Sequence, residues 1–326
     1  MGNAIPFSLR HMTPYNTYAM LKQSFFCGTP TWDPARDVPD LTGQVIIVTG
    51  GNAGIGRETV KVLLENNAKV YMASRNPPKA AAAIEELATL TGKRAVFLHL
   101  DLADLASVKA AAAEFLSKET ELHVLYNNGG IMCPPIEEAT PTGYDLTLAT
   151  NVLGHFYLTQ LLLPTLTATA QTRGAARVVT LTSMVHYVAT VDYKSFTDGS
   201  ARRKRTPFDM YAQSTWANAV FAVELARRYA GQGIVSTSVN PGNLKTDIAH
   251  SSTGFTALLA KLILIHPVER GAVAQLWAGT APETAGLNGK YIAPWGRVAQ
   301  HRRDVDDLRS GRVLWAWLEA QVPRTP

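Results

Sequence analysis

The stretch Thr49-Gly50-Gly51-Asn52-Ala53-Gly54-Ile55-Gly56 follows the β-branched run Gln44–Thr49 and precedes a helical pattern starting near Arg57. Glycines at such a place permit a tight turn and let backbone come close to a pyrophosphate. The N-terminus of the following helix offers that anion free N–H groups and a positive dipole end. Gly50, Asn52, Gly54, Ile55 and Gly56 are therefore expected to cradle the phosphates of a dinucleotide. The strand-turn-helix setting gives the motif its weight, because a glycine trio alone is weak evidence. The next strand, "VYMASR", ends in Ser74-Arg75. A site for NAD would place an acid there to bond the ribose 2′-hydroxyl. A guanidinium instead pairs with a 2′-phosphate by charge and bidentate geometry. The expected cofactor is NADP(H), with Arg57 as a helper cation.

A second group with chemistry lies in "YAQST", residues 211–215, at the head of an Ala-rich helical run. Tyr211 and Thr215 are four apart, hence on one helix face and one turn from each other. A phenol can give or take a proton. Thr215 adds a hydroxyl beside it but no charge.

These groups need a frame. Short β-branched runs recur at 44–49, 68–73, 94–100, 122–126, 177–181, 234–239 and 290–293, with helical patterns such as 79–90 and 108–116 between them. Strands alternating with helices indicate βαβ units and a parallel sheet. "QVIIVT" and "RVVTLT" contain few polar residues, as strands covered on both faces require. One sheet running from Leu41 almost to the end makes residues 41–326 a single domain, with residues 1–40 as an arm lying on it. Two segments depart from the alternation: a polar insert at 184–208, and an apolar segment at 251–268 containing "FTALLAKLILIH", read as a lid over an apolar substrate, with a core or dimer helix or a membrane-surface contact as the alternatives.

Composition limits the rest. The chain has 326 residues, 46% hydrophobic and 17% charged, with net charge +5. The basic residues are scattered, so no nucleic-acid partner is expected; the dense run Arg202-Arg203-Lys204-Arg205 is read as a solvated loop. Cys27 and Cys133 make neither a disulfide framework nor a metal spacing, which fits the reducing cytoplasm. No run reaches the length of a membrane span.

On these motifs the chain resembles the short-chain dehydrogenase/reductase family, and within it fungal proteins similar to retinol dehydrogenases. The matching segments are "TGGNAGIG" at 49–56, "LDLAD" at 100–104, "NNGG" at 127–130, "NVLGHFYLT" at 151–159, "VTLTS" at 179–183, "YAQST" at 211–215 and "NPGNLKTD" at 240–247. The resemblance implies an α/β, doubly wound Rossmann-type three-layer sandwich with a seven-stranded parallel sheet. It implies Asn151, Ser183 and Tyr211 as catalytic residues, with Thr215 where the family carries Lys. It also implies cofactor contacts at Asp101, Leu102, Asn128, Gly129, Pro241, Gly242 and Thr246, and a dimer or tetramer whose usual contact face the N-terminal arm can cover.

The family's Lys bonds the nicotinamide ribose and lowers the Tyr pKa by its charge. Thr215 can offer a ribose oxygen its hydroxyl but supplies no charge. Tyr211 should then titrate near its reference value of about 10, which leaves an acid and a poor base. Lys194, Lys204 and Lys245 are the nearby candidates for a replacement cation, and His186 can reach the pocket mouth. Three functions follow. The first is NADPH-dependent reduction of a lipophilic ketone, aldehyde or imine in fungal secondary metabolism. The second is a non-redox cyclisation, isomerisation, dehydration or cycloaddition on a similar substrate. The third is a scaffold, which would need neither Ser183 nor Tyr211.

Overall fold

The structure, a computed structural model, describes residues 11–244 and 266–323. Within them the β-branched runs become β1 (Val45–Thr49), β2 (Lys69–Ser74), β3 (Val96–His99), β4 (Val124–Asn127), β5 (Ala176–Leu181), β6 (Ile234–Val239) and β7 (Tyr291–Ala293). An eighth strand, β8 (Arg297–Ala299), completes one sheet in the order β3-β2-β1-β4-β5-β6-β7-β8. Strands β1 to β7 are parallel, and β8 folds back antiparallel on β7. The expected count of seven is thus corrected to eight. β8 has only three residues, Arg297 and Val298 both exposed, so it is too short and too open to carry an alternation signal.

Eight helices of twelve or more residues are described: α1 (Pro14–Phe25), α2 (Gly54–Glu65), α3 (Pro77–Thr91), α4 (Leu105–Lys118), α5 (Gly154–Arg173), α6 (Pro207–Tyr229), α7 (Val268–Thr280) and α8 (Leu308–Gln321). Helices α2, α3 and α7 pack on one sheet face through residues such as Val60, Leu63, Ile84 and Leu276. Helices α4, α5, α6 and α8 pack on the other through Phe115, Phe156, Phe221 and Trp315. All five residues of β1 and all six of β6 are buried, which is why those runs are almost wholly apolar or small. On the α5–α6–α8 side Phe156 meets Phe221 and Trp315 edge-on, with centroids 5.8 and 5.2 Å apart. Each such buried ring contributes roughly 1.5–3 kcal/mol over an exposed one.

The strand order reverses between β1 and β4, so the loops leaving their C-terminal ends diverge and open a crevice, the usual ligand position in a doubly wound sheet. Local capping fixes the elements that border it. Asn76 caps α3 by accepting from Lys79 N at 3.0 Å, and Gly92 ends that helix at φ 69°. Thr206 and Asp209 form a reciprocal capping box at the start of α6, with Pro207 in its first turn.

Two segments differ from their sequence reading. The 184–208 insert is built from short turns of helix, Met184–Val188, Tyr193–Ser195 and Ser200–Arg203. In its basic run Arg203 and Lys204 are exposed, but Arg202 is only 2% exposed. Arg202 bonds the Glu138 carbonyl at 3.0 Å, the Ile136 carbonyl and Asp198 at 3.0 Å, and lies 3.6 Å from buried Asp145. Arg205 pairs with Asp192 at 2.8 Å. A charge run is therefore part buried clamp, because two backbone carbonyls and two carboxylates offset the desolvation of Arg202. Most of the apolar 251–268 segment lies outside the described residues.

Helix α1 is turned inside out. It buries Asn16, Gln23 and Ser24 and leaves Tyr18 60% exposed. The burial is of polar groups because they complete bonds deep in the domain. Gln23 Oε1 accepts from Asn240 Nδ2 at 2.9 Å and from the Tyr291 hydroxyl at 2.6 Å, and Asn16 Nδ2 donates to the Tyr187 carbonyl at 3.2 Å. Removing Gln23 would leave two buried donors unanswered, which costs about 1–3 kcal/mol. Gln23→Ala should lower the unfolding free energy in a denaturant titration by that amount, while Tyr18→Ala should change it by less than about 0.5 kcal/mol. Equal small effects would mean that the arm is not part of the folded domain.

Candidate active site

A cavity of about 440 Å³ runs along the crevice from the glycine turn to Tyr211. Its floor is the turn after β1. Gly50 has φ +65°, and a Cβ on it would come within 2.9 Å of Gly129 Cα. A Cβ on Gly56 would sit 2.3 Å from the Gly50 carbonyl, so helix α2 can start this close to the turn only with glycine there. A Cβ on Gly54 would meet no atom within 4 Å. Asn52, Ile55 and Gly129 also line the cavity. Open space above the turn and a helix N-terminus beneath it fit a pyrophosphate.

At one end the cavity is bordered by Ser74, Arg75, Asn76, Lys79, Asp101 and Leu102. Arg75 and Lys79 are exposed and, among the described residues, have no ion-pair partner. Lys79 escaped the sequence reading. Its signal was the Asn-Pro-Pro-Lys start of α3, which aims a first-turn cation at the same end as Arg75. Arg57 does not join them: it is held by Glu58 at 3.1 Å and Glu86 at 2.5 Å. One oxygen of Asp101 caps its own loop, accepting from Ala103 N at 2.9 Å.

At the other end stand Asn151, Tyr211 and Thr215, all on the cavity wall. Asn151 lies in a π-helical turn, Ala149–Leu153, of the kind found at functional sites. Its Oδ1 accepts from Ile131 N at 2.9 Å, and its Nδ2 donates to Ile131 O at 3.0 Å and Ser214 Oγ at 3.1 Å. Ser214 in turn donates to the Tyr211 carbonyl at 2.8 Å. Asn151 thus ties the loop after β4 to the Tyr211 turn of α6. Ser183 caps the short helix after β5, where its Oγ accepts from Val185 N at 3.3 Å, and it also shares a hydrogen bond with the Tyr211 phenol.

Burial pushes Tyr211 up to about 12, against a smaller lowering by the Ser183 bond. The expectation of a value near 10 is corrected upward, because a phenolate there would be desolvated and no described cation faces it. Thr215 does not replace one. Its hydroxyl donates to the Ala212 carbonyl at 2.8 Å, so toward a ligand it can only accept. Lys194 and Lys204 are exposed and off the cavity, and Lys245 lies outside the described residues, as does Thr246. His186 is fully buried rather than at the pocket mouth. It donates from Nδ1 to the Ser183 carbonyl at 2.6 Å and stacks on Tyr187 at 4.1 Å, and burial pushes it down to about 3. Pro241 lines the cavity. Gly242 instead packs on Trp295, where a Cβ would come within 2.9 Å of the ring.

Three buried oxygens of cavity-lining residues have no hydrogen-bond partner: Asn128 Oδ1, Thr150 Oγ1 and Asn218 Oδ1. Buried polar atoms are normally paired, so the residues behind this wall keep unused acceptors. The cradle and the free cations together fit a phosphorylated dinucleotide.

Residues 44–255 match the family model described as short chain dehydrogenase. Two short-chain dehydrogenase/reductases of Armillaria gallica are each 49% identical over 306 residues, spanning 94% of this chain and 98% of theirs. One of Phomopsis amygdali is 36% identical over 304 residues, spanning 87% of this chain and 91% of its own. Among solved structures, an uncharacterised protein of Mycobacterium paratuberculosis superposes with a TM-score of 0.69 at 30% identity, covering 89% of this chain and 96% of that one. The RhlG/NADP active-site complex of Pseudomonas aeruginosa superposes with a TM-score of 0.63 at 23% identity, covering 79% and 96%, a likeness of fold. In sequence along nearly its whole length, and in the sheet order that opens the crevice, the chain belongs to the short-chain dehydrogenase/reductase family.

Proposed function

We propose that the protein is an NADP(H)-dependent reductase of a lipophilic carbonyl substrate, serving fungal secondary metabolism. The observation that carries this reading is the Tyr211 phenol, hydrogen-bonded to Ser183, on the wall of a cavity that begins at a phosphate cradle. The glycine turn would hold the diphosphate, with Arg75 and Lys79 on the 2′-phosphate. NADPH, when bound, supplies the hydride that reduces the carbonyl carbon. Ser183 and Tyr211 fix the carbonyl oxygen, and the Tyr211 phenol gives it the proton. Ile131, Met132 and Leu181 border this end of the cavity with apolar surface, which supports a lipophilic substrate. The fungal source of the relatives supports the metabolic setting.

Direction follows from charge. With Tyr211 pushed up to about 12, only about one molecule in 10⁵ carries the phenolate at pH 7. The acid needed for reduction is therefore fully present, and the base needed for alcohol oxidation is almost absent. A second reading draws on the same observation: a neutral Tyr-Ser pair can polarise a carbonyl for a non-redox step with no hydride transferred.

Three outcomes test the proposal. Arg75→Ala should weaken NADPH binding by about 10–100-fold in calorimetry and NADH binding by less than about twofold, since only NADPH loses a charge-assisted pair. Equal losses would remove Arg75 as the phosphate clamp. In steady-state kinetics, carbonyl reduction should be flat from pH 7 to 10, while alcohol oxidation should rise about tenfold per pH unit as phenolate accumulates. Thr215→Lys should lower the Tyr211 pKa and lift oxidation at pH 7. A wild-type oxidation rate already level at pH 7 would contradict a cation-free Tyr.

A further inference from the structure

Helix α1 precedes residues 44–255, the stretch that the family model matches, yet it reaches two loops of the site. Its buried polar residues Asn16, Gln23 and Ser24 fall at i, i+7 and i+8, on one helix face. The first loop leaves β5 and carries Ser183, the partner of the Tyr211 phenol. Ser24 Oγ donates to the sulfur of the next residue, Met184, at 3.0 Å. Asn16 Nδ2 and Gln23 Nε2 donate to the carbonyl and the hydroxyl of Tyr187 at 3.2 and 3.4 Å. The second loop leaves β6 and puts Pro241 on the cavity wall. Gln23 Oε1 accepts from Asn240 Nδ2 at 2.9 Å, and Asn240 Oδ1 accepts from Gly242 N at 3.0 Å. Strands β5 and β6 are parallel neighbours, so both loops open at the ligand end of the sheet.

The link from Gln23 to Gly242 has one direction. A reversed Asn240 amide would set its amino group against the Gly242 N–H, and a reversed Gln23 would set its own against that of Asn240. We propose that α1 braces the Tyr211 end of the cavity, with Gln23 as the positioning residue that keeps the Pro241 loop in step with the Ser183 loop. A ligand filling this end meets both loops at once, and a spacing fixed beforehand lowers the ordering cost of binding it. The opposite end of the cavity is built from β2 and the start of α3, through Ser74, Arg75, Asn76 and Lys79. Ligands confined there gain nothing from the brace.

The inference rests on the NADP(H) reading, and its probes keep the two apart. They are NADPH, which must reach the Tyr211 end to deliver its hydride, and 2′,5′-ADP, which stops at the Arg75 end. Binding of both to the wild-type protein establishes the cofactor. Binding of neither overturns the cofactor reading, and this inference with it. Given binding, Gln23→Leu should weaken NADPH by about fivefold in calorimetry, the loss of one neutral hydrogen bond, and leave 2′,5′-ADP within about twofold. Hydrogen exchange of the wild-type protein serves if the leucine protein does not accumulate. Coupling between two places is reciprocal, so NADPH should slow the amides of α1 by about threefold or more and 2′,5′-ADP by less than about 1.5-fold. A purely structural helix would weaken both probes alike, through lost folded protein, and its exchange would not respond to NADPH. Either result overturns the proposal.

Discussion

A single buried hydroxyl holds the crevice together. Thr49 ends β1 at the point where the strand order reverses, and its Oγ accepts from Asn128 N at 2.9 Å and Gly129 N at 2.8 Å. It also lies 2.8 Å from His155 Nε2 and 3.2 Å from the Tyr126 carbonyl. His155 Nδ1 meets the Asn151 carbonyl at 2.9 Å, so that nitrogen carries the proton and Nε2 is the acceptor. Burial pushes His155 down to about 4, which keeps it neutral and suited to this one-way chain. The end of β1, the loop after β4 and the π-turn at Asn151 are thereby locked in one frame. Two parts of the site hang on it: the cradle through Gly50 and Gly129, and the Tyr211 turn through Asn151 and Ser214. Networks of this kind rigidify when every member is satisfied.

Within that frame Thr215 stands where the resemblance read from the sequence implies a Lys. A Lys at 215 would have answered two needs, a charge beside the phenol and a donor for the sugar. With Thr there, the phenol is left to burial, which drives its pKa up. The result is a phenol that stays protonated, as the proposed reduction requires.

Much of the fold was legible because burial leaves a plain mark. Strands covered on both faces had to be apolar, so seven of them stood out as β-branched runs. The glycine turn was legible because close backbone approach leaves little choice of residue. What escaped was decided by tertiary partners. Arg202 reads as surface charge until Asp145 and two carbonyls surround it. His186 reads as a pocket residue until Tyr187 and Tyr291 enclose it. Helix α1 reads as an aromatic arm, and only the acceptor needs of Tyr291 and Asn240 explain why Gln23 points inward. Tyr211, Thr215 and Asn151 line one cavity, whereas Thr246 lies outside the described residues.

The most direct measurement is a stoichiometric turnover: purified protein with NADPH and a panel of apolar ketones, aldehydes and imines, following nicotinamide oxidation and product together. The expected result is one alcohol or amine formed for each NADPH consumed. Conversion of a substrate with the NADPH left intact would contradict the reductase and establish a non-redox reaction at the Ser183–Tyr211 pair.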